Sequence, residues 1–395
     1  MVNGKKILCV FGKHQYGDVS RGISTEYFSF IPAFMALGHT VSHFESWDSG
    51  KYGNYTELNS KLLDTVELEK PDVIFAVTLG YEIWLESWDI IRQRTDVTLI
   101  HWCTDDSWKF REHSRFIAPY FDLMVTTYEE FLPSYESIGV NSFLSAWGCP
   151  DQWLAKPKSA SECKHEVTFV GSAHGNRKEL VKKIADAGVK LECFGFGWPN
   201  GAIDAQDIPS VFRDSIISLN FANSKGEKQI KARTFEVPGA GGFLITESAK
   251  NLDSIFCSPD EIVIVEDMDE LIEKILYYLS NTKARDEIAV IGNNKVRKQY
   301  TYSRRVSDIL AYAQELPKKD VLDKKIDFAS VAAKHTKTPF LNIFKYILIT
   351  AGYLIFGRQK GRKFARRVAF EMEWRIRGRK TYGSSGWTGR MFYGY

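Results

Sequence analysis

The chain has 395 residues, 44% hydrophobic and 26% charged, enough for two domains with sizeable cores and an appendage. Its formal net charge of +3 is uneven: residues 340–395 carry twelve Lys or Arg and two Glu, so residues 1–339 are net negative, which argues against bulk nucleic-acid binding by the body. The six cysteines have no CxxC spacing, which speaks against a zinc site and for reduced, structural thiols.

The N-terminus runs straight into a strand at residues 6–12 (KILCVFG), so no signal peptide is expected. A loop at 13–22 precedes a helix at 25–37, stopped by Gly38, and a strand at 41–44. A helix at 55–69 leads into a strand at 71–77, and further buried strands are expected at 97–102 and 121–126. Strands alternating with helices imply a parallel, doubly wound sheet over residues 1–150.

Residues 155–164 (AKPKSASECK) read as a linker, after which the pattern restarts. Strands are expected at 165–171, 190–195, 216–220, 243–246 and 261–265, with helices at 176–187, 269–279 and 282–300. The fold class is therefore α/β, with two similar Rossmann-like domains, 1–154 and 165–313, facing across a cleft. Residues 314–339 read as a polar linker, and 340–395 as a basic, aromatic, amphipathic helical tail.

The most informative stretch is 231–247 (KARTFEVPGAGGFLITE). Lys231 and Arg233 offer two cations for phosphate, and the carboxylate of Glu236 can take two ribose hydroxyls. Gly241 and Gly242 would let backbone approach a ligand before the apolar run 243–245. The group reads as a pocket for a nucleotide diphosphate. The competing reading is a Gly-rich turn kept for packing alone.

This segment resembles the nucleotide-sugar-binding segment of GT-B glycosyltransferases, more narrowly the bacterial CgeB-like branch, whose pattern runs roughly R-x-F-E-x-x-A-x-G-G-x-x-x-T-E. The likeness extends to 165–177 (HEVTFVGSAHGNR), 217–220 (ISLN), 300–305 (YTYSRR) and 101–108 (HWCTDDSW), thus over roughly residues 5–315 and not the tail. It implies that the C-terminal domain holds the nucleotide of a sugar donor and the N-terminal domain the acceptor. Arg233 and Lys231 would neutralise the diphosphate, without a metal or a cofactor. Glu236 would bind the ribose, and Gly241 and Gly242 would admit the donor. Many retaining members carry two glutamates eight positions apart. Glu236 fits the second, but Lys228 stands at the first and Glu227 one residue further out, which leaves retention or inversion open.

Other candidates lie at expected strand ends, where open α/β sheets bind ligands. His14 and Asp18 could act as a general base on an acceptor hydroxyl, or be a solvated loop histidine and a capping carboxylate. Asp105 and Asp106 allow one helix cap and one functional carboxylate. Gly171 and Ser172 could meet phosphate. Gly197 and Trp198 could stack on a base, or Trp198 could be an anchor. Arg177 and Lys178 read as exposed helix cations.

In the tail, 340–356 is apolar but short for a spanning helix, and Phe364, Val368, Met372 and Ile376 fall on one helical face. Its cations and aromatics suit an anionic membrane surface, with packing back onto the N-terminal domain as the alternative. The expectation is a cytoplasmic, inner-face peripheral glycosyltransferase moving a sugar to a glycan or polyprenol-linked acceptor in cell-surface polysaccharide synthesis. A sugar-nucleotide epimerase and a non-catalytic GT-B-like binding subunit are the alternatives.

Overall fold

The computed structural model describes residues 4–221, 229–317, 325–336 and 338–393. Glu227 and Lys228 lie outside the described residues. The chain forms two compact units, one of Met1–Ser145 with Val306–Tyr395, the other of Ala146–Arg305.

In the first unit, β1 (Lys6–Phe11), β2 (Thr40–Glu45), β3 (Val73–Ala76), β4 (Thr98–Cys103), β5 (Leu123–Thr126) and β6 (Ser142–Leu144) form a parallel sheet in the order β2-β1-β3-β4-β5-β6. Central strands are buried on both faces, hence their continuous apolar runs. Helices α1 (Thr25–Ala36), α2 (Tyr55–Glu69) and α3 (Leu85–Arg94) cross between them. Ser24 starts α1, accepting a hydrogen bond from the Tyr27 amide at 3.1 Å. The first crossover goes from β1 outward to β2, and the chain then returns to place β3 on the other side of β1. That reversal leaves a crevice at the carboxyl ends of β1 and β3.

The second unit repeats the plan. Strands β7 (His165–Val170), β8 (Leu191–Phe194), β9 (Ser215–Asn220), β10 (Leu244–Glu247) and β11 (Val263–Val265) are parallel, in the order β11-β10-β9-β7-β8. The reversal here lies between β7 and β9. Helix α4 (Arg177–Asp186) follows β7, α5 (Arg233–Gly239) precedes β10, and α6 (Met268–Ser280) and α7 (Thr282–Gln299) close the unit. The core joins Val167, Phe169, Ile217 and Leu219 to Phe243, Ile245 and Ile275. The stretch expected as a linker is fastened to this unit: Ser159 and Glu162 form a capping box, and the Ala160 amide donates to Asp286 at 3.0 Å.

Helix α8 (Tyr302–Glu315) brings the chain back to the first unit at Val306. The polar segment expected to be a linker is packed where it is described. The Ile326 amide donates to Gln93 of α3 at 2.9 Å, and α9 (Phe328–Ala333) buries Val331.

The span α10 (Pro339–Arg377) is a hairpin rather than one rod, because Gly357 leaves the helix at φ +73°. Its legs, 339–356 and 358–377, run back along each other. A Cβ on Gly352 would lie 2.4 Å from the Gly361 carbonyl oxygen, and Leu341 packs with Ala365 and Ala369. The second leg inserts Phe370 and Trp374 into the first unit's core beside Tyr81, Trp84 and Trp88. Its buried face is therefore the one carrying Ala365, Ala369, Phe370 and Trp374. The face with Phe364, Val368, Met372 and Ile376 is turned outward, with Met372 and Ile376 exposed.

The last segment, unassigned from sequence, is also held. Glu373 is fully buried, accepts from the amides of Trp387 (2.6 Å) and Thr388 (2.7 Å) at the start of α11 (Trp387–Met391), and pairs with Arg377 at 3.0 Å. Tyr382 donates its hydroxyl to the Glu112 carbonyl.

Candidate functional site

In the second unit Gly171, Ser172 and Arg233, three of the predicted donor residues, come together at the carboxyl edge of the sheet. Strand β7 ends at Gly171, where an added Cβ would stand 3.4 Å from Arg233 Nη2. Arg233 opens α5 and Glu236 lies one turn on, 7% exposed. Burial pushes the Glu236 carboxyl up and the Arg233 guanidinium down, and each charge opposes the other's shift. Lys231 is half-buried, with Nζ 2.6 Å from Gln229 Oε1.

Arg177 is the residue the sequence reading missed. Expected to be an exposed helix cation, it is 7% exposed. Its guanidinium donates to the Ser172 carbonyl (3.0 Å) and the Phe221 carbonyl (3.1 Å), tying the loop after β7 to the end of β9. Burial and then the charge of Arg233 draw its pKa down to about 10, with Glu247 opposing. Nε of both arginines is buried without a hydrogen-bond partner among the described residues. Two guanidiniums held close enough that the charge of Arg233 disfavours that of Arg177 make a place for an anion.

Ser172 contributes its carbonyl to Arg177. Trp198 is half-buried, edge-on to Phe169, and donates its indole N–H to the Gly171 carbonyl at 2.6 Å, so it anchors the loop. Gly197, at φ +86°, lies in the same turn, beside Ala173. Gly241 and Gly242 lie tight against the chain's own backbone. Gly241, at φ +87°, is the left-handed residue that ends α5, and a Cβ there would meet Lys156 backbone at 2.9 Å. A Cβ on Gly242 would lie 2.7 Å from the Phe212 carbonyl oxygen.

The first unit has a cavity of about 420 Å³ at the carboxyl ends of β1, β3 and β4. It is lined by Tyr16, Asp18 and Arg21 from the loop after β1, by residues 79–81 after β3, and by Asp105, Trp108, Lys109, Glu112 and His113 after β4. The hairpin's second leg adds Lys363, Arg366, Arg367 and Phe370.

The structure separates the two neighbouring aspartates. Asp105 lines the cavity. Asp106 is 1% exposed and accepts from Ser114 Oγ (2.6 Å) and the Tyr135 hydroxyl (2.8 Å), which makes it a structural anchor outside the cavity lining. Asp18 is exposed and caps its own turn through Ser20 and Arg21; the Ser20 hydrogen bonds hold its carboxyl below the usual value. His14 starts that loop, paired through its backbone with Ile23, and is not part of the lining.

Two further groups had no sequence signal. Glu26 of α1 is buried with Oε2 unbonded among the described residues, and burial pushes its carboxyl up to about 7, with the Asp105 charge adding. His113 bonds to the Gly80 carbonyl at 3.1 Å, and burial and the Lys109 charge lower it to about 3.

Residues 177–311 match the family model described as glycosyl transferase-like, and this stretch contains Arg177, Lys231, Arg233 and Glu236. Among solved structures, the chain is similar to a sucrose-phosphate synthase from Thermosynechococcus elongatus (12% identity, 78% of this chain and 99% of that chain, TM-score 0.56). It is similar to Anabaena HepE in complex with UDP and glucose (11% identity, 79% and 100%, TM-score 0.55). A glycosyltransferase from Rickettsia africae is also similar (14% identity, 80% and 100%, TM-score 0.55). At these identities the structural likeness is one of fold. No curated protein matches the chain by sequence. With two Rossmann-like units and a glycosyl transferase-like sequence over most of the second, the chain has the GT-B fold and resembles glycosyl transferases in sequence over residues 177–311.

Proposed function

We propose that the chain transfers a sugar from a uridine-diphosphate sugar to a hydroxyl of a lipid-linked glycan acceptor, in cell-surface polysaccharide synthesis at the cytoplasmic face of a membrane. The observation that carries the donor half is the convergence of Arg177, Arg233 and Glu236 at the topological reversal of the second sheet. The similar Anabaena structure is a complex with UDP and glucose, which supports uridine as the base.

In this reading Arg177, Arg233 and Lys231 stabilise the charge that grows on the leaving diphosphate, a role that calls for no metal. Glu236 accepts from the ribose hydroxyls. Asp105 is the first candidate to take the proton of the attacking hydroxyl, since it lines the cavity and Asp106 does not. Asp18 and His14 are the other candidates.

The membrane half draws on the hairpin. Residues 339–358 are long and apolar enough to cross a bilayer, yet the second leg returns the chain to the same unit. Leu354, 83% exposed, and Ile355, 65% exposed, stand at its tip, followed by Arg358, Lys360 and Arg362. An apolar tip above a basic collar suits insertion into one leaflet of an anionic membrane.

The test is a thermal-shift screen of UDP-, GDP-, dTDP- and CMP-sugars, followed by an assay of nucleoside diphosphate release with and without acceptor. A UDP-sugar should stabilise the protein, and release should require acceptor. Stabilisation by none of the four would overturn the donor assignment. Acceptor-independent conversion of the sugar would point to an epimerase.

A further inference from the structure

The lining of the first unit's cavity includes two large aromatic rings that the chain leaves half exposed, Tyr16 at 54% and Trp108 at 50%. Apolar residues scattered singly over a surface are ordinary, but two rings in one concave site beside a carboxylate are not.

Both rings are held in place. Tyr16 sits in the left-handed region at φ +55°, which costs energy for a residue with a Cβ. The turn around it is fixed. Gln15 donates its amide to the Gly22 carbonyl at 3.1 Å, and a Cβ on Gly17 would overlap the backbone of buried Trp47. Arg21 lies over the Tyr16 ring, 5.5 Å from its centroid. Trp108 stands in the turn opened by Asp105, whose carbonyl accepts from the Trp108 and Lys109 amides at 3.1 and 2.8 Å. Lys109 lies over the Trp108 ring at 5.4 Å and reaches the Leu79 carbonyl at 3.3 Å.

The carboxylates of the lining differ in what they have left to accept. Glu112 and Asp18 are in ion pairs with Arg367 and Arg21, at 2.9 and 3.5 Å. Among the described residues, the Asp105 side chain has one hydrogen bond, from its neighbour Thr104 at 3.3 Å, where a carboxylate can accept about four. Partial burial, then the charges of Asp105 and Glu26, push the Tyr16 phenol up, so this ring stands within reach of the Asp105 charge.

Aromatic rings beside one open carboxylate match a pyranose, which has C–H faces to lie on a ring and hydroxyls to donate. The cavity, about 420 Å³, falls within the roughly 300–1,000 Å³ of small-ligand sites. We propose that Tyr16 and Trp108 form a platform for the terminal pyranose ring of the acceptor, with one of its hydroxyls donating to Asp105. This rests on the glycan-acceptor reading and names the side chains that position the acceptor sugar.

The experiment is saturation-transfer NMR on the full chain, in a polyoxyethylene detergent, with the methyl glycosides of glucose, galactose, mannose, N-acetylglucosamine and rhamnose. At least one should receive saturation on its ring C–H protons. Trp108→Ala and Tyr16→Ala should each weaken that glycoside roughly tenfold, the worth of one buried aromatic contact. Trp108→Phe and Tyr16→Phe should keep most of the affinity, because the ring and not its polar atom is used. Tyr277→Ala, an exposed ring of the second unit, should leave affinity unchanged. Binding by the wild type that survives both alanine variants would overturn the platform alone. Equal binding of cyclohexylmethanol would make the site an apolar hole and overturn the sugar assignment. Binding of none of the five glycosides to the wild type would overturn the glycan-acceptor reading, and the platform with it.

Discussion

Arg177 shows what a sequence conceals about a single side chain. An Arg-Lys pair at a helix start reads as solvated, but one of the two is buried and ties two strand-end loops together. Charge type was legible; burial depends on which loops fold over it. The glycine pair 241–242 was legible by its spacing, while its closeness to the chain's own backbone was not. Gly242→Ala should therefore lower stability by about 1–3 kcal/mol through overpacking and leave UDP-sugar affinity unchanged, checked by urea unfolding and titration. Glu26 carries a pH prediction. Its folded pKa of about 7 exceeds the ordinary 4.5, so between those values the folded chain keeps a proton that the unfolded chain releases. Stability from this group is greatest below pH 4.5 and falls as pH rises to 7, by about 3 kcal/mol in all. Glu26→Gln should match the wild type at pH 4 and exceed it at pH 8 in urea unfolding. Identical profiles would contradict the assignment.

The hairpin divides α10 into an anchored leg and an exposed tip, and the two should respond differently to substitution. Trp374→Ala should cost about 3–5 kcal/mol, because the ring is buried in the first unit's core. Leu354→Asp with Ile355→Asp should leave stability within about 0.5 kcal/mol while abolishing flotation with phosphatidylglycerol-containing vesicles. Retained flotation would remove the hairpin from membrane binding. The buried strands were legible because parallel strands covered on both faces are continuous apolar runs, as in residues 73–76 and 98–103. Helix α3 was missed because its sequence, LESWDIIRQR, mixes polar and apolar residues without a clean stripe. Helix α5 was hidden by Pro238 and the glycines that end it. The hairpin was not legible because a glycine between an apolar and a basic run marks a boundary without saying that the chain turns back.

Both sheets place candidate chemistry at the same topological position, the carboxyl edge where strand order reverses. In the first unit that edge carries Asp105 and the cavity; in the second it carries Arg177, Arg233 and Glu236. The duplication was readable from the repeated strand-helix pattern. The return of residues 306–393 to the first unit stood only as the alternative for the tail, because packing between segments far apart in sequence leaves no local periodicity. The central claim is that the second unit binds a nucleotide-sugar through these three residues. Its most direct test is calorimetric titration of UDP-glucose into the wild type and into the separate variants Arg177→Lys, Arg233→Ala and Glu236→Ala, each first shown to unfold at the wild-type temperature. Loss of one charge-assisted contact should weaken binding about 10- to 100-fold in each variant. Wild-type affinity in Arg233→Ala and Glu236→Ala would contradict the account.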